Sequence, residues 1–170
     1  MLPATIPPLT VGPYTFRSRL LVGTGKYPTP EVMMESLAES GADVVTVAVR
    51  RANLGAPHGK SLFEVLSGTY QLLPNTAGCF TAEDAIRTAL LGRELGISDM
   101  VKLEVLADTQ TLLPHPTQTL EACRRLVAEG FTVLVYTSDD PVLALELASA
   151  GAAAVMPAGA PIGSGLGILN

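Results

Sequence analysis

The stretch "GRELGISDMVKLEVL", residues 92–106, decides how the chain is read. A helical pattern stops at Gly96, and an aliphatic run begins three residues later at Asp99. The same idiom returns in "AESGADVV", "VAEGFTVL" and "LASAGAAAV", each with a glycine ahead of a strand-like run. Glycine suits a helix end because it enters the left-handed conformation at no steric cost. Helical segments alternating with short β-branched or aliphatic runs are the mark of stacked βα units on a parallel sheet.

Working outward from this stretch, the pattern predicts strands over 19–23, 43–50, 71–75, 99–106, 131–137 and 152–157. Helices are predicted over 31–39, 61–66, 81–95, 117–129 and 138–150. Thr81 is a candidate N-cap, while Pro141 in a first turn, with Asp139 and Asp140 before it, suits a helix start. The loops after the strands differ in length and chemistry, so the repetition is supersecondary rather than that of a solenoid.

Strands of this kind fit either a closed barrel or an open doubly wound sheet. Two features favour the barrel. No GxGxxG follows the first strand, and polar residues recur at the ends of several strands rather than at one crevice. The expected fold is therefore a (β/α)8 TIM barrel, of which residues 1–170 carry about the first six βα units as a single domain. A complete barrel takes about 250 residues, so the chain reads as truncated on its C-terminal side. If it were complete, it would be a six-stranded open sheet with a glycine-rich tail.

Hydrophobic residues make up 48% of the chain and charged ones 16%, as expected of elements buried on two sides. The net charge of -5 argues against nucleic-acid or membrane-surface partners, which favour a basic face. Cys79 and Cys123 form no CxxC and have no histidine at metal spacing, so free thiols and no metal are expected. The N-terminal "MLPATIPPLTVGPYTF" lacks the basic start of a signal peptide, and no run reaches the roughly 18 apolar residues of a membrane span. A soluble cytoplasmic protein is the expectation.

Alternation along 99–106 puts Met100, Lys102 and Glu104 on one strand face and Val101, Leu103 and Val105 on the other. The aliphatic face should meet helices, which turns Lys102 and Glu104 inward, where a charge costs several kcal/mol (order of magnitude) unless paired or functional. A structural ion pair and a functional one are both open at this point. The lysine count bears on the choice. The chain has three lysines, Lys26, Lys60 and Lys102, and only Lys102 lies inside an apolar strand. Burial disfavours the ammonium and yields the free amine that a Schiff base needs, while Glu104 is within reach to move protons.

Other candidates are weaker. "LLVGTGKYP" (20–28) is no Walker A motif, since Leu20 stands where glycine is required and Tyr27 where Ser or Thr is. Gly23 and Gly25 read instead as a tight turn at a strand end. "APIGSGLG" (160–167), with Gly163 and Gly165, exposes backbone N–H groups at a strand's C-terminal end and is a candidate anion loop, or else a flexible lid. Arg50 and Arg51 end another strand and could grip a carboxylate or phosphate. Asn75, Thr76, Thr137 and Ser138 are substrate-orienting or capping residues. His58 and His115 have no partner spacing and receive no role.

Seven segments, "LLVGTGKYP", "VTVAVRRANL", "LLPNTAGCFTAEDA", "DMVKLEVL", "LLPHPTQTLEA", "VLVYTSDDPVLA" and "VMPAGAPIGSGLGILN", together resemble the thiazole synthases of thiamin biosynthesis. The resemblance runs from Leu20 to Asn170. It implies a barrel enzyme, without cofactor, that builds thiazole phosphate from 1-deoxy-D-xylulose 5-phosphate, a glycine imine and sulfur. Sulfur would come from the thiocarboxylate of a small ubiquitin-like carrier protein, and a homotetramer is implied. The family's Schiff-base lysine falls on Lys102, its acid/base glutamate on Glu104 and a phosphate contact on Gly163. The family continues beyond the counterpart of Asn170 with two more strands, bearing a "VDAGIG"-type segment and an "NT" pair that complete the phosphate site. A Schiff-base aldolase on the same architecture, and a non-enzymatic barrel scaffold, are the competing expectations.

Overall fold

The computed structural model describes residues 7–51 and 61–168. The chain opens with a hairpin, β1 (Leu9–Val11) and β2 (Tyr14–Phe16), paired antiparallel about Gly12 and Pro13. Six βα-type strands follow: β3 (Leu21–Gly23), β4 (Val44–Ala48), β5 (Gln71–Asn75), β6 (Met100–Leu103), β7 (Thr132–Thr137) and β8 (Ala154–Pro157). Between them lie α1 (Pro30–Ser40), α2 (Leu62–Leu66), α3 (Ala82–Glu94), α4 (Pro116–Ala128) and α5 (Pro141–Ser149). A 3-10 turn, Val49–Arg51, continues β4 where the sequence pattern extends the strand.

Local chemistry accounts for the helix limits. Thr29, Thr81 and Asp140 cap α1, α3 and α5, each accepting a bond from the backbone N–H of Val32, Asp84 or Val142. Pro30, Pro116 and Pro141 open their helices, where the missing N–H has no intrahelical partner to lose. The sequence idiom is present at its stops: Gly41, Gly96, Gly130 and Gly151 all have positive φ. At Gly151 a side chain is excluded twice, by φ of +95° and by Val127 Cγ1 lying 2.8 Å from where a Cβ would stand.

The six strands are ordered β3-β4-β5-β6-β7-β8, every pair parallel and every neighbour sequential. That order contains no switch point of the kind a doubly wound sheet requires. The two faces decide the rest. Val45, Val47 and Leu72 pack against Met33, Leu37 and Leu66 of α1 and α2. Val101, Leu103, Val105, Val133 and Val135 pack against Ala85, Ile86, Ala122, Leu126 and Leu147 of α3, α4 and α5. Register places Val45 beside Leu72 and Asn75 beside Lys102, so these helices cover one and the same face. The sheet is thus a curled half-barrel of six strands, not an open sheet with helices on both sides.

The opposite face is the barrel interior, and the hairpin stoppers its lower end. Val11 and Phe16 form one cluster with Val44, Leu73, Met100 and Leu134, all inward-facing residues near the starts of their strands. Asp43 ties the hairpin down, accepting from the backbone N–H groups of Arg17 and Ser18 and from the Arg17 guanidinium at 2.9 Å. The Arg17 hydrogen bond, with the Ser18 amide behind it, holds the Asp43 carboxyl below its usual pKa. No sequence pattern announced the hairpin, because two three-residue strands are too short to display a period. The Gly12-Pro13 turn between Leu9, Val11 and Tyr14, Phe16 is the signal that was available. Among the described residues no helix is long and apolar enough to cross a membrane.

Candidate functional site

With the lower end of the interior filled by apolar side chains, the open space lies at the upper end, where the strands finish. Lys102 and Glu104 stand there. Lys102 Nζ lies 3.4 Å from Glu104 Oε1, with the two side chains 25% and 13% exposed. Their neighbours Val101, Leu103 and Val105 are fully buried under the helices, as strand alternation requires.

The sequence pattern carries this strand to residue 106, but β6 ends at Leu103. Glu104 keeps its inward orientation because a side chain replaces the ladder. The buried Thr76 donates its hydroxyl to the Glu104 carbonyl at 2.8 Å and accepts from the Glu104 N–H at 2.8 Å, while its own N–H donates to the Lys102 carbonyl at 3.2 Å. Thr76 is therefore a positioning residue for Glu104. Beyond Glu104, the chain from Leu106 to Pro114 closes into a short loop, with Ala107 N–H donating to Leu113 and His115 N–H to Val105.

Burial pushes the Glu104 carboxyl above the usual carboxylate range, against the opposing pull of the Lys102 charge and hydrogen bond. A carboxyl shifted in this direction is better matched to giving and taking protons near neutrality than an exposed one. Beside it a cleft of about 210 Å³ is lined by Lys102, Glu104, Tyr136, Ala158, Ala160 and Ile162. The arrangement offers a primary amine, a carboxyl of raised pKa and a phenol on one side of an otherwise apolar hollow, which is equipment for imine chemistry on a carbonyl.

The remaining sequence candidates divide. Asn75, the last residue of β5, is in register with Lys102 on the interior face, and its side chain accepts from Ala77 N–H at 3.3 Å. Gly163 and Gly165 lie on the exposed tail after β8, both at positive φ with open space around them. Gly163 directly follows Ile162 of the cleft wall. Thr137 is fully buried and its hydroxyl meets no partner, whereas its neighbour Tyr136 faces the cleft. Ser138 lines an adjoining small hollow with Leu113 and Asp139, which shares Ala158 and Ala160 with the cleft.

Sequence reasoning missed Tyr136. The signal was present, since alternation from the inward Leu134 puts Tyr136 on the same face, one step nearer the mouth. Arg50 lies outside the cleft, with Nη2 3.5 Å from the Cys79 sulfur. The Arg51 side chain, His58 and Lys60 lie outside the described residues. Lys26 is in an exposed loop. Both cysteines are free and buried, and burial pushes the Cys123 thiol up to about 11. Among the described residues no group of three or more His, Cys, Asp or Glu could hold a metal ion.

This geometry has close relatives. A thiazole synthase of Rhodopirellula baltica is 59% identical over 170 residues, covering 96% of this chain and 59% of its own. One of Sorangium cellulosum is 58% identical over 163 residues, covering 95% of this chain and 63% of its own. The chain thus spans about three fifths of the length of these curated relatives. Among solved structures, the crystal structure of the Amycolatopsis orientalis BexX/CysO complex superposes with a TM-score of 0.81 at 32% identity, over 97% of this chain and 68% of that one. The family model described as thiazole biosynthesis protein ThiG matches residues 10–170, and the chain belongs to that family.

Proposed function

We propose that the protein is a thiazole synthase, in which Lys102 forms an imine with the C2 ketone of 1-deoxy-D-xylulose 5-phosphate. The observation that carries this reading is the Lys102–Glu104 pair, 3.4 Å apart, facing a cleft at the strand ends of a family member. The amine attacks the ketone and water leaves. Glu104 then removes and returns protons along the sugar chain, so that the carbonyl moves from C2 to C3. Its raised pKa supports that double duty. The thiocarboxylate sulfur of a small carrier protein replaces the C3 carbonyl oxygen, which leaves on the carrier's carboxylate; condensation with a glycine imine, whose nitrogen displaces the Lys102 amine from C2, then closes the ring with loss of water.

The partners belong to the same proposal. That the similar solved chain comes from a two-protein complex supports a protein sulfur donor. Gly163 and Gly165 would offer backbone N–H groups to the substrate phosphate, with Asn75, on the interior face beside Lys102, as a further substrate contact. The working unit is a completed (β/α)8 barrel, assembled as a homotetramer in the cytoplasm. Mass spectrometry of the product formed from the ketose phosphate, glycine imine and thiocarboxylated carrier tests the reading. A thiazole phosphate is expected; a cleaved aldehyde without thiazole would mean a Schiff-base aldolase instead.

A further inference from the structure

The cleft beside Lys102 has three polar side chains, and the proposed chemistry uses two of them. Lys102 is committed to the carbonyl carbon and Glu104 to proton transfer. Tyr136 has no part in either step, and Ala158, Ala160 and Ile162 supply only apolar wall. Among the described residues that line this cleft, a polyhydroxylated ligand therefore meets one further side-chain group able to recognise a hydroxyl.

The state of the Tyr136 oxygen follows from its surroundings. Its hydroxyl donates to the Leu112 carbonyl at 3.2 Å. Leu112 sits at φ of +55°, a left-handed conformation that a leucine rarely adopts and that persists only where its surroundings impose it. Those surroundings are the bridge between Leu106 and Pro114 and the turn in which Asp108 accepts from the N–H groups of Gln110 and Thr111. The loop thus holds its carbonyl on the phenol. Burial and the nearby Glu104 charge both disfavour the phenolate, so the proton stays. With that proton spent on Leu112, the oxygen offers only its lone pairs to the cleft.

We infer that Tyr136 is a specificity-determining residue, accepting a hydrogen bond from a chain hydroxyl of the ketose phosphate held at Lys102. This rests on the reading of Lys102 as the imine-forming amine. A site built to pair with a hydroxyl discriminates against the analogue lacking it, because the acceptor is then left desolvated and unpaired.

The test uses the full chain and its Tyr136→Phe variant, which keeps the ring and removes the oxygen. Each is titrated with 1-deoxy-D-xylulose 5-phosphate and with its 3-deoxy and 4-deoxy counterparts. The imine is reduced with borohydride and the Lys102 adduct quantified by mass spectrometry. In the parent, half-saturation for one deoxy ligand should be about tenfold weaker than for the hydroxylated one. In the variant the two should come within about twofold. If Tyr136 only anchors the loop, all ligands weaken together and the tenfold preference persists, which overturns the inference. A parent that forms no adduct at Lys102 with any ligand overturns the imine reading, and this inference with it.

Discussion

Replacing Thr76 with valine tests how Glu104 is held. The two side chains have nearly the same shape, so Thr76→Val removes one hydroxyl and leaves the packing intact. That hydroxyl makes two bonds of 2.8 Å, donating to the Glu104 carbonyl and accepting from its N–H, at a position with no solvent exposure. Water cannot take its place. Each backbone group left unpaired costs about 1–3 kcal/mol, and since Glu104 is only partly buried the lower half of that range applies, giving about 2–4 kcal/mol in all. For a chain of this size that is a fall in Tm of roughly 5–12 °C. Thr76→Ser keeps the hydroxyl and loses a methyl group, for about 1 kcal/mol. Thermal melts and urea titrations read both, with imine capture as a second assay, since Glu104 should leave Lys102 once its backbone is released. A Thr76→Val variant within about 0.5 kcal/mol of the parent, or a serine variant as damaged as the valine one, would refute the reasoning.

Further expectations concern the same site and its supports. Because Glu104 has a raised pKa, the acid limb of the pH–rate profile should lie above the ordinary carboxylate value and vanish in Glu104→Gln. The folded state also binds that proton more tightly than the unfolded chain, so stability should fall as pH rises from the ordinary glutamate value through the raised one, a slope that pH-dependent melts of the parent and Glu104→Gln would compare. Gly12→Ala should destabilise by about 1–3 kcal/mol, since φ is positive and a Cβ would lie 2.9 Å from Thr132 Cγ2. Cys79 and Cys123 should stay silent to a thiol reagent until the protein unfolds, as both are buried; rapid labelling of the native protein would contradict this.

The parts of the fold that repeat were legible in the sequence. Helices α1, α3, α4 and α5 carry their own punctuation, a capping Thr or Asp, a proline, or both at the start and a positive-φ glycine at the stop, so α3 and α5 were bounded to within a few residues. Strand alternation was enough to turn Lys102 and Glu104 inward. The choice between barrel and open sheet could not come from periodicity, because both bury their strands on two faces; it came from the register that puts the helices on a single side. Long-range partners were equally out of reach. Thr76 lies 28 residues from Glu104 and its grip on that backbone has no sequence signature. Tyr136 was readable by alternation on β7, yet its meaning depends on a leucine carbonyl 24 residues away.

The central claim is that Lys102 is the amine that captures the substrate ketone. Borohydride reduction in the presence of 1-deoxy-D-xylulose 5-phosphate, followed by proteolysis and peptide mass spectrometry, tests it directly. The account predicts a single modified lysine, Lys102, with no adduct in Lys102→Arg, whose guanidinium can still pair with Glu104. An adduct on Lys26 or Lys60, or none in the parent, would contradict it.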